Sequence, residues 1–277
     1  MKQRLLALAA ASLFSFQALA QQDGFLPSQL EGQKKFESDF LKAVNFDRFK
    51  VHLSELTKNP HIAGTPENEL VKDYMVKTMA DAGMDVKVWP YDVYLPNHPG
   101  KSELQIISPV QMTLSQKEGA LPDDPFSDDP RLHLGFNAFS GSGDVTAEVV
   151  YVNYGTREDF MKLVEMGVPL KGKVAIARYG GNFRGYKAKY AEQYGMIGLV
   201  VYTDPKDSGF TRGEVYPKGP FFNETTIQRG SMLTLDFTGD PLSPNRPALP
   251  LDGVKKIKRD NPADVDFHTI PVTPIGY

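Results

Sequence analysis

The chain of 277 residues contains no cysteine. That absence excludes thiol nucleophiles, cysteine zinc sites and disulfide staples together. Histidine is scarce as well: His52, His61, His98, His133 and His268 are scattered, and none falls in a zinc-ligand spacing such as H-x-x-x-H or H-x-D. Charge of one sign is not in excess, because 31 basic and 34 acidic residues leave a formal net charge of -3. So balanced a chain gives no electrostatic reason to expect a nucleic-acid or membrane-surface partner, and any charge-driven function must be local. Nor does any apolar run reach the ~20 residues that a bilayer requires.

What the chain has is enough apolar material, 41% of residues, to bury a real core in one large or two ordinary domains. Met1 to Ala20 reads as a secretory signal, with Lys2 and Arg4 in the charged region, Leu5 to Phe16 apolar, and Ala18-Leu19-Ala20 as the cleavage site. The alternative of an N-terminal anchor fails on length. The mature chain is expected to begin at Gln21 and to be periplasmic or secreted.

Lys173 to Asp204 carries the clearest local signal. Val174 to Ala177 and Gly198 to Tyr202 are short aliphatic runs bounded by turn residues, as buried strands are. Between them Tyr186, Tyr190, Ala191 and Tyr194 recur at helical spacing, and Gly195 closes the helix. Strand, helix, strand implies parallel neighbours. The loop from Tyr179 to Gly185 sets Arg184 at the helix entry, a place to hold an anion.

Elsewhere, Phe36 to Leu56 has the apolar spacing of one or two amphipathic helices, with His52 on the apolar face. Thr65 and Pro66 read as N-cap and first position of a helix closed by Gly83, and Val86 to Val93 alternates as a strand does. Leu95 to Gly100 is a boundary signal. Beyond it, strands are expected at Gln105 to Ser108, Gln111 to Leu114, Ala147 to Tyr154 and about Met232 to Leu235, with Thr156 capping a helix whose face is Phe160, Leu163 and Val164. Leu121 to Pro130 has four aspartates but not the order of an EF-hand, and reads as a solvated loop. Ser140-Gly141-Ser142-Gly143 is a turn: it lacks the third glycine of a dinucleotide loop and the spacing of a nucleophile elbow, so a serine hydrolase has little to rest on. Asn223-Glu224-Thr225 matches a glycosylation sequon, and Val254 to Arg259 is a solvated basic patch.

Several patterns then agree in order and spacing: Pro60 to Thr65, Tyr151 to Gly155, Ile176 to Gly180, Phe183-Arg184-Gly185, Tyr202 to Pro205, Gln228-Arg229-Gly230, Gly239-Asp240-Pro241-Leu242 and Ile270 to Tyr277. Together they resemble the N-terminal part of the glutamate carboxypeptidase II family, which includes the non-catalytic transferrin receptor. The resemblance covers nearly all of the chain from about Phe36. It implies a mixed α/β fold: a partial aminopeptidase-like α/β domain over 21–95, then a β-rich protease-associated (PA) domain with flanking helices over 96–277. It implies two zinc ions in a full-length member, bound by residues beyond the segment matching Tyr277, so that this chain carries no catalytic or metal residue. It also implies a missing peptidase domain as partner, and a homodimer when full length.

One role is carried over by the resemblance. The F-R-G arginine of such enzymes binds the terminal carboxylate of the substrate, and Arg184 matches it. A planar guanidinium suits a carboxylate and keeps its charge. Ser231, after Gln228-Arg229-Gly230, stands where glutamate-selective enzymes have asparagine, and Ser243 and Arg246 stand in the stretch that holds the family's calcium. The expected function is thus the front part of a secreted zinc carboxypeptidase or dipeptidase, supplying the PA insert and Arg184 toward peptides with a free C-terminus. The alternative is a non-catalytic PA module for protein or peptide contacts.

Overall fold

The computed structural model describes residues 24–96, 98, 100–250 and 258–277. The signal-like stretch Met1–Ala20 and most of the basic patch after Val254 lie outside the described residues. The chain divides into two units, one up to Leu56 and the other Thr57–Tyr277.

The first unit is two helices, α1 (Leu30–Ala43) and α2 (Phe46–Thr57), as the apolar spacing predicts. Neither buries a residue. Phe36, Phe40 and Leu41 on α1 and Phe46, Phe49 and Leu53 on α2 are all exposed, Phe46 to 81%.

The second unit opens with α3 (Pro66–Asp81). The Thr65 hydroxyl accepts from the Asn68 N–H at its start, and Gly83 takes a left-handed φ of 84° after its end. Val86 to Val93, expected as a strand, pairs in no ladder: its few anchors include Asp92 N–H to Ala248 O and Tyr94 N–H to the Asp240 carboxylate. An alternating pattern makes a strand only where a neighbour offers its edge, and no described segment does so here. β1 (Gln105–Ile106) and β2 (Met112–Thr113) form a short antiparallel pair, within the two predicted strands but shorter than either.

The organising element is a four-stranded, all-parallel sheet in the order β4-β5-β6-β8, formed by β4 (Val149–Tyr151), β5 (Val174–Arg178), β6 (Gly198–Tyr202) and β8 (Val272–Ile275). Helix α4 (Arg157–Glu165) links β4 to β5, and α5 (Arg184–Gln193) links β5 to β6. β4 is shorter than Ala147 to Tyr154 because Asn153 (φ 52°) and Gly155 (φ 60°) turn the chain into α4. There Thr156 and Asp159 form a reciprocal capping box. Phe160, fully buried, stacks on Tyr194 with ring centroids 5.3 Å apart, and Ala175, Ala177, Ala188, Ala191, Leu199 and Val201 complete the core.

The buried side of α5 is Gly185, Lys187, Ala188 and Ala191, whereas Tyr186 is 42% exposed. Of the residues at helical spacing, Ala191 is buried and Tyr190 and Tyr194 pack half-buried against the core, while a helix pressed close to the sheet favours small residues and leaves Tyr186 outside. α6 (Pro205–Ser208) is a single turn after β6. The last ladder is parallel, β3 (Asn137–Ala138) with β7 (Gly230–Ser231). The strand expected at Met232 to Leu235 therefore lies earlier. Met232 N–H still reaches Ala138 O, but Met232 O is taken by His268 Nε2 at 2.8 Å, which ends the ladder.

A candidate anion site at the start of helix α5

The loop between β5 and α5 begins with Gly180 and Gly181, both left-handed at φ 98° and 75°. A side chain at 181 would drive its Cβ to 2.7 Å from Cβ of Tyr154, so glycine is required twice over. Asn182 donates to Gly155 O at 3.2 Å, and Phe183 is the extended residue before α5. Arg184 is the first residue of the helix. At Gly185 a Cβ would meet Met232 O at 2.3 Å, so the helix start rests directly on the backbone of the residue that follows β7.

That contact brings the two sequence motifs together. The Arg184 guanidinium lies over Gly230, where a Cβ would stand 2.1 Å from Nη1. Ser231 is the next residue, its Oγ accepting from Leu233 N–H at 3.1 Å. The guanidinium carbon is 5.6 Å from the Phe183 ring centroid and 5.8 Å from that of Tyr179. Arg184 is half-buried, and its Nε has no hydrogen-bond partner among the described residues.

The neighbouring arginine behaves differently. Arg229 is bound to Glu118 at 2.6 Å, to Ile227 O at 3.1 Å and to His133 O at 3.0 Å. It is a structural tie, whereas Arg184 meets the Tyr179 hydroxyl and keeps its Nε without a partner among the described residues. Beneath it the Tyr179 hydroxyl donates to Gln228 O at 2.7 Å and lies near Asn137, whose amide nitrogen is buried without a partner. Burial raises the Tyr179 pKa, opposed by Asn137 and by the charge of Arg184.

Two further polar clusters lie elsewhere on the sheet and α5. Arg178, at the end of β5, stands 3.9 Å above the Tyr154 ring and 3.6 and 3.5 Å from Asp204 and Asp207. Tyr154 donates to Asp207 and Tyr202 to Asp204, while Arg178 Nε and Asp207 Oδ2 are buried without a hydrogen-bond partner among the described residues. At the far end of α5, Glu192 accepts from His268, from Thr269 N–H and Oγ, and from Ile270 N–H. Burial alone would raise its pKa, but these bonds outweigh it and hold the carboxyl down at about 2. His268 is thereby a core tie between α5 and the chain entering β8. His61 likewise contacts its local backbone, Asn59 O at 2.9 Å.

Ser243, in the stretch matched to a calcium site, is fully buried and donates to Asp240 at 2.8 Å, and Asp240 also accepts from Tyr94 N–H. These groups satisfy one another. Among the described residues no group of three or more histidines, aspartates or glutamates could hold a metal ion. The described residues do not fit the two zinc ions that the resemblance implies. Among the described residues no helix is long and apolar enough to cross a membrane.

Comparison with known proteins bears on the same region. Residues 145–235, from just before β4 to just past β7, match the PA domain. The chain is 39% identical over 214 residues to the "Probable glutamate carboxypeptidase" of Arthroderma benhamiae, covering 75% of this chain and 29% of that protein. It is 34% identical over 242 residues to the "Glutamate carboxypeptidase 2 homolog" of Caenorhabditis elegans (84% of this chain, 31% of that one). It is 31% identical over 249 residues to "Aminopeptidase NAALADL1" of Mus musculus (84% and 32%). The chain thus spans about a third of the length of the curated relatives it matches. Among solved structures, an aminopeptidase from Aneurinibacillus sp. strain AM-1 is similar at 21% identity and a TM-score of 0.39, covering 69% of this chain and 35% of that one. A zinc aminopeptidase from Bacillus subtilis is similar at 17% identity and a TM-score of 0.37, with 81% and 37% covered. The chain therefore carries a PA domain at 145–235 and is homologous, across the region that contains it, to proteins named glutamate carboxypeptidase.

Proposed function

We propose that this chain is the substrate-gating front part of a secreted zinc peptidase of the glutamate carboxypeptidase type, and that Arg184 holds the C-terminal carboxylate of the peptide substrate. The observation that carries the reading is the seat of Arg184: a half-buried guanidinium over Gly230, unpartnered at Nε, beside an Arg229 already tied down. A charge-assisted contact to such a group contributes about 1.5–3 kcal/mol. Ser231 borders the same spot with a hydroxyl, shorter than a carboxamide, so the reading commits to carboxylate recognition and not to glutamate.

In this reading the hydrolytic step belongs to the remainder of a longer protein. This chain's part is to bind and orient the substrate's end. The apolar side chains exposed on α1 and α3, among them Phe36, Phe40, Leu70 and Met75, support the reading, since exposed stripes of that kind mark interaction surfaces. The signal-like Met1–Ala20 supports export. The test is calorimetric titration of the full chain with an N-acetylated dipeptide and with its C-terminal amide. Tighter binding of the acid, lost in Arg184→Ala, is expected; equal binding of acid and amide by the unmodified chain contradicts it.

A further inference from the structure

Lys187 lies on α5 one turn beyond Arg184, and its side chain is completely buried. Its Nζ meets three oxygens: Tyr154 O at 2.5 Å, Gly180 O at 2.7 Å and Asn182 Oδ1 at 2.7 Å. An ammonium has three protons, and here each has an acceptor; a neutral amine has two and would turn its lone pair on the third oxygen. Two of these acceptors, Gly180 and Asn182, belong to the loop that delivers Arg184, and the third fixes that loop to the turn after β4. A Cβ at Gly155 would approach Lys187 Cβ to 3.2 Å, so the backbone there leaves the lysine stem no second course.

The charges facing this ammonium are Asp159 from α4, which attracts it, and Arg184 from its own helix, which repels it. Asp159 is itself engaged by Asn153 and Thr156. Burial and the charge of Arg184 together push Lys187 down to about 8, against the pull of Asp159.

Resting on the carboxylate reading of Arg184, we infer that Lys187 is its positioning residue and couples carboxylate binding there to uptake of a proton. A carboxylate on Arg184 cancels the repulsion one turn away and favours the charged lysine. Linkage is reciprocal, so the charged lysine favours the carboxylate. Arg184 cannot supply this dependence, because its own charge does not titrate. Affinity is therefore fully present below about pH 8 and declines as the pH rises through the Lys187 range. If binding lifts the lysine by about one pH unit, the decline is about tenfold.

The experiment is calorimetry of the full chain with an N-acetylated dipeptide acid, between pH 6.5 and 9.5, in buffers of different ionisation enthalpy. Acetylation removes the peptide's own amine, which would titrate in this range. Expected are no proton exchange at pH 6.5, a fractional uptake near pH 8.5, and loss of both uptake and pH dependence in Lys187→Met. Asn182→Asp gives up the amide's bond to Gly155 O and adds a carboxylate against the ammonium, so the window should move up by about one pH unit. An affinity flat from pH 7 to 9.5, or a window that stays in place in Asn182→Asp, overturns the role of Lys187 when Arg184→Ala still removes acid-over-amide preference. If Arg184→Ala leaves that preference intact, it is the carboxylate reading that fails.

Discussion

The guanidinium of Arg184 occupies the space above Gly230, with a Cβ there standing 2.1 Å from Nη1 and 2.4 Å from Cζ. The atoms in the way are the far end of a flexible side chain, not backbone. Gly230→Ala should therefore cost little stability, about 1 kcal/mol or less, while displacing the guanidinium. Gly185→Ala is the contrasting case: its Cβ would meet the backbone oxygen of Met232 at 2.3 Å, and a loss of about 1–3 kcal/mol is expected. Thermal unfolding of both variants, with acid and amide peptide titrations of Gly230→Ala, checks the pair. A Gly230→Ala protein that keeps full carboxylate preference would show that the seat on Gly230 does not matter.

Glu192 gives a pH dependence with a definite sign. Its pKa in the fold, about 2, lies below its ordinary value of 4.5. A carboxyl depressed on folding contributes stability that is complete above about pH 4.5 and is lost as the pH falls toward 2. Glu192→Gln should accordingly be less stable than the parent at pH 7, with the gap closing between pH 4.5 and 2. Denaturant melts across that range are the measurement; a gap independent of pH would assign the effect to packing alone.

The crossover between β4 and β5 depends on one ring and one cap. Phe160→Ala empties a fully buried position against Tyr194 and should cost about 3–5 kcal/mol. Thr156→Ala removes the acceptor for Asp159 N–H and the hydroxyl's own bond to the Asp159 carboxylate, leaving the backbone half of the capping box, for about 0.5–2 kcal/mol. The order of these two effects, read from chemical denaturation, is the expectation to check.

The parts legible in the sequence are those whose signal is local. Val174–Arg178 and Gly198–Tyr202 declared themselves as short aliphatic runs, Thr156 and Thr65 as caps, and the Tyr179 to Gly185 loop as the approach to Arg184. What depends on a distant partner did not show. Val86 to Val93 alternates as well as any strand, yet nothing described pairs with it. Asn137–Ala138 and Gly230–Ser231 are too short to have a pattern and exist only as each other's neighbours. Lys187 carries no signal in the sequence; only the fold reveals three oxygens converging on it. β8, with Pro274 inside it, was hidden because proline argues against a strand, although Pro274 sits on the sheet's outer member paired with Val201. For the candidate site, the motifs named Arg184 and Ser231, and the placement of Gly230 beneath the guanidinium required coordinates.

The central claim is that Arg184 reads a peptide's terminal carboxylate, and the most direct measurement is the ratio of affinities for an N-acetylated dipeptide acid and its amide, in the parent chain and in Arg184→Ala. The account predicts that the acid is preferred by about tenfold or more in the parent, the equivalent of one charge-assisted contact, and that the ratio falls to near one in the variant. A ratio unchanged by Arg184→Ala in a variant that unfolds at the parent's temperature would contradict it.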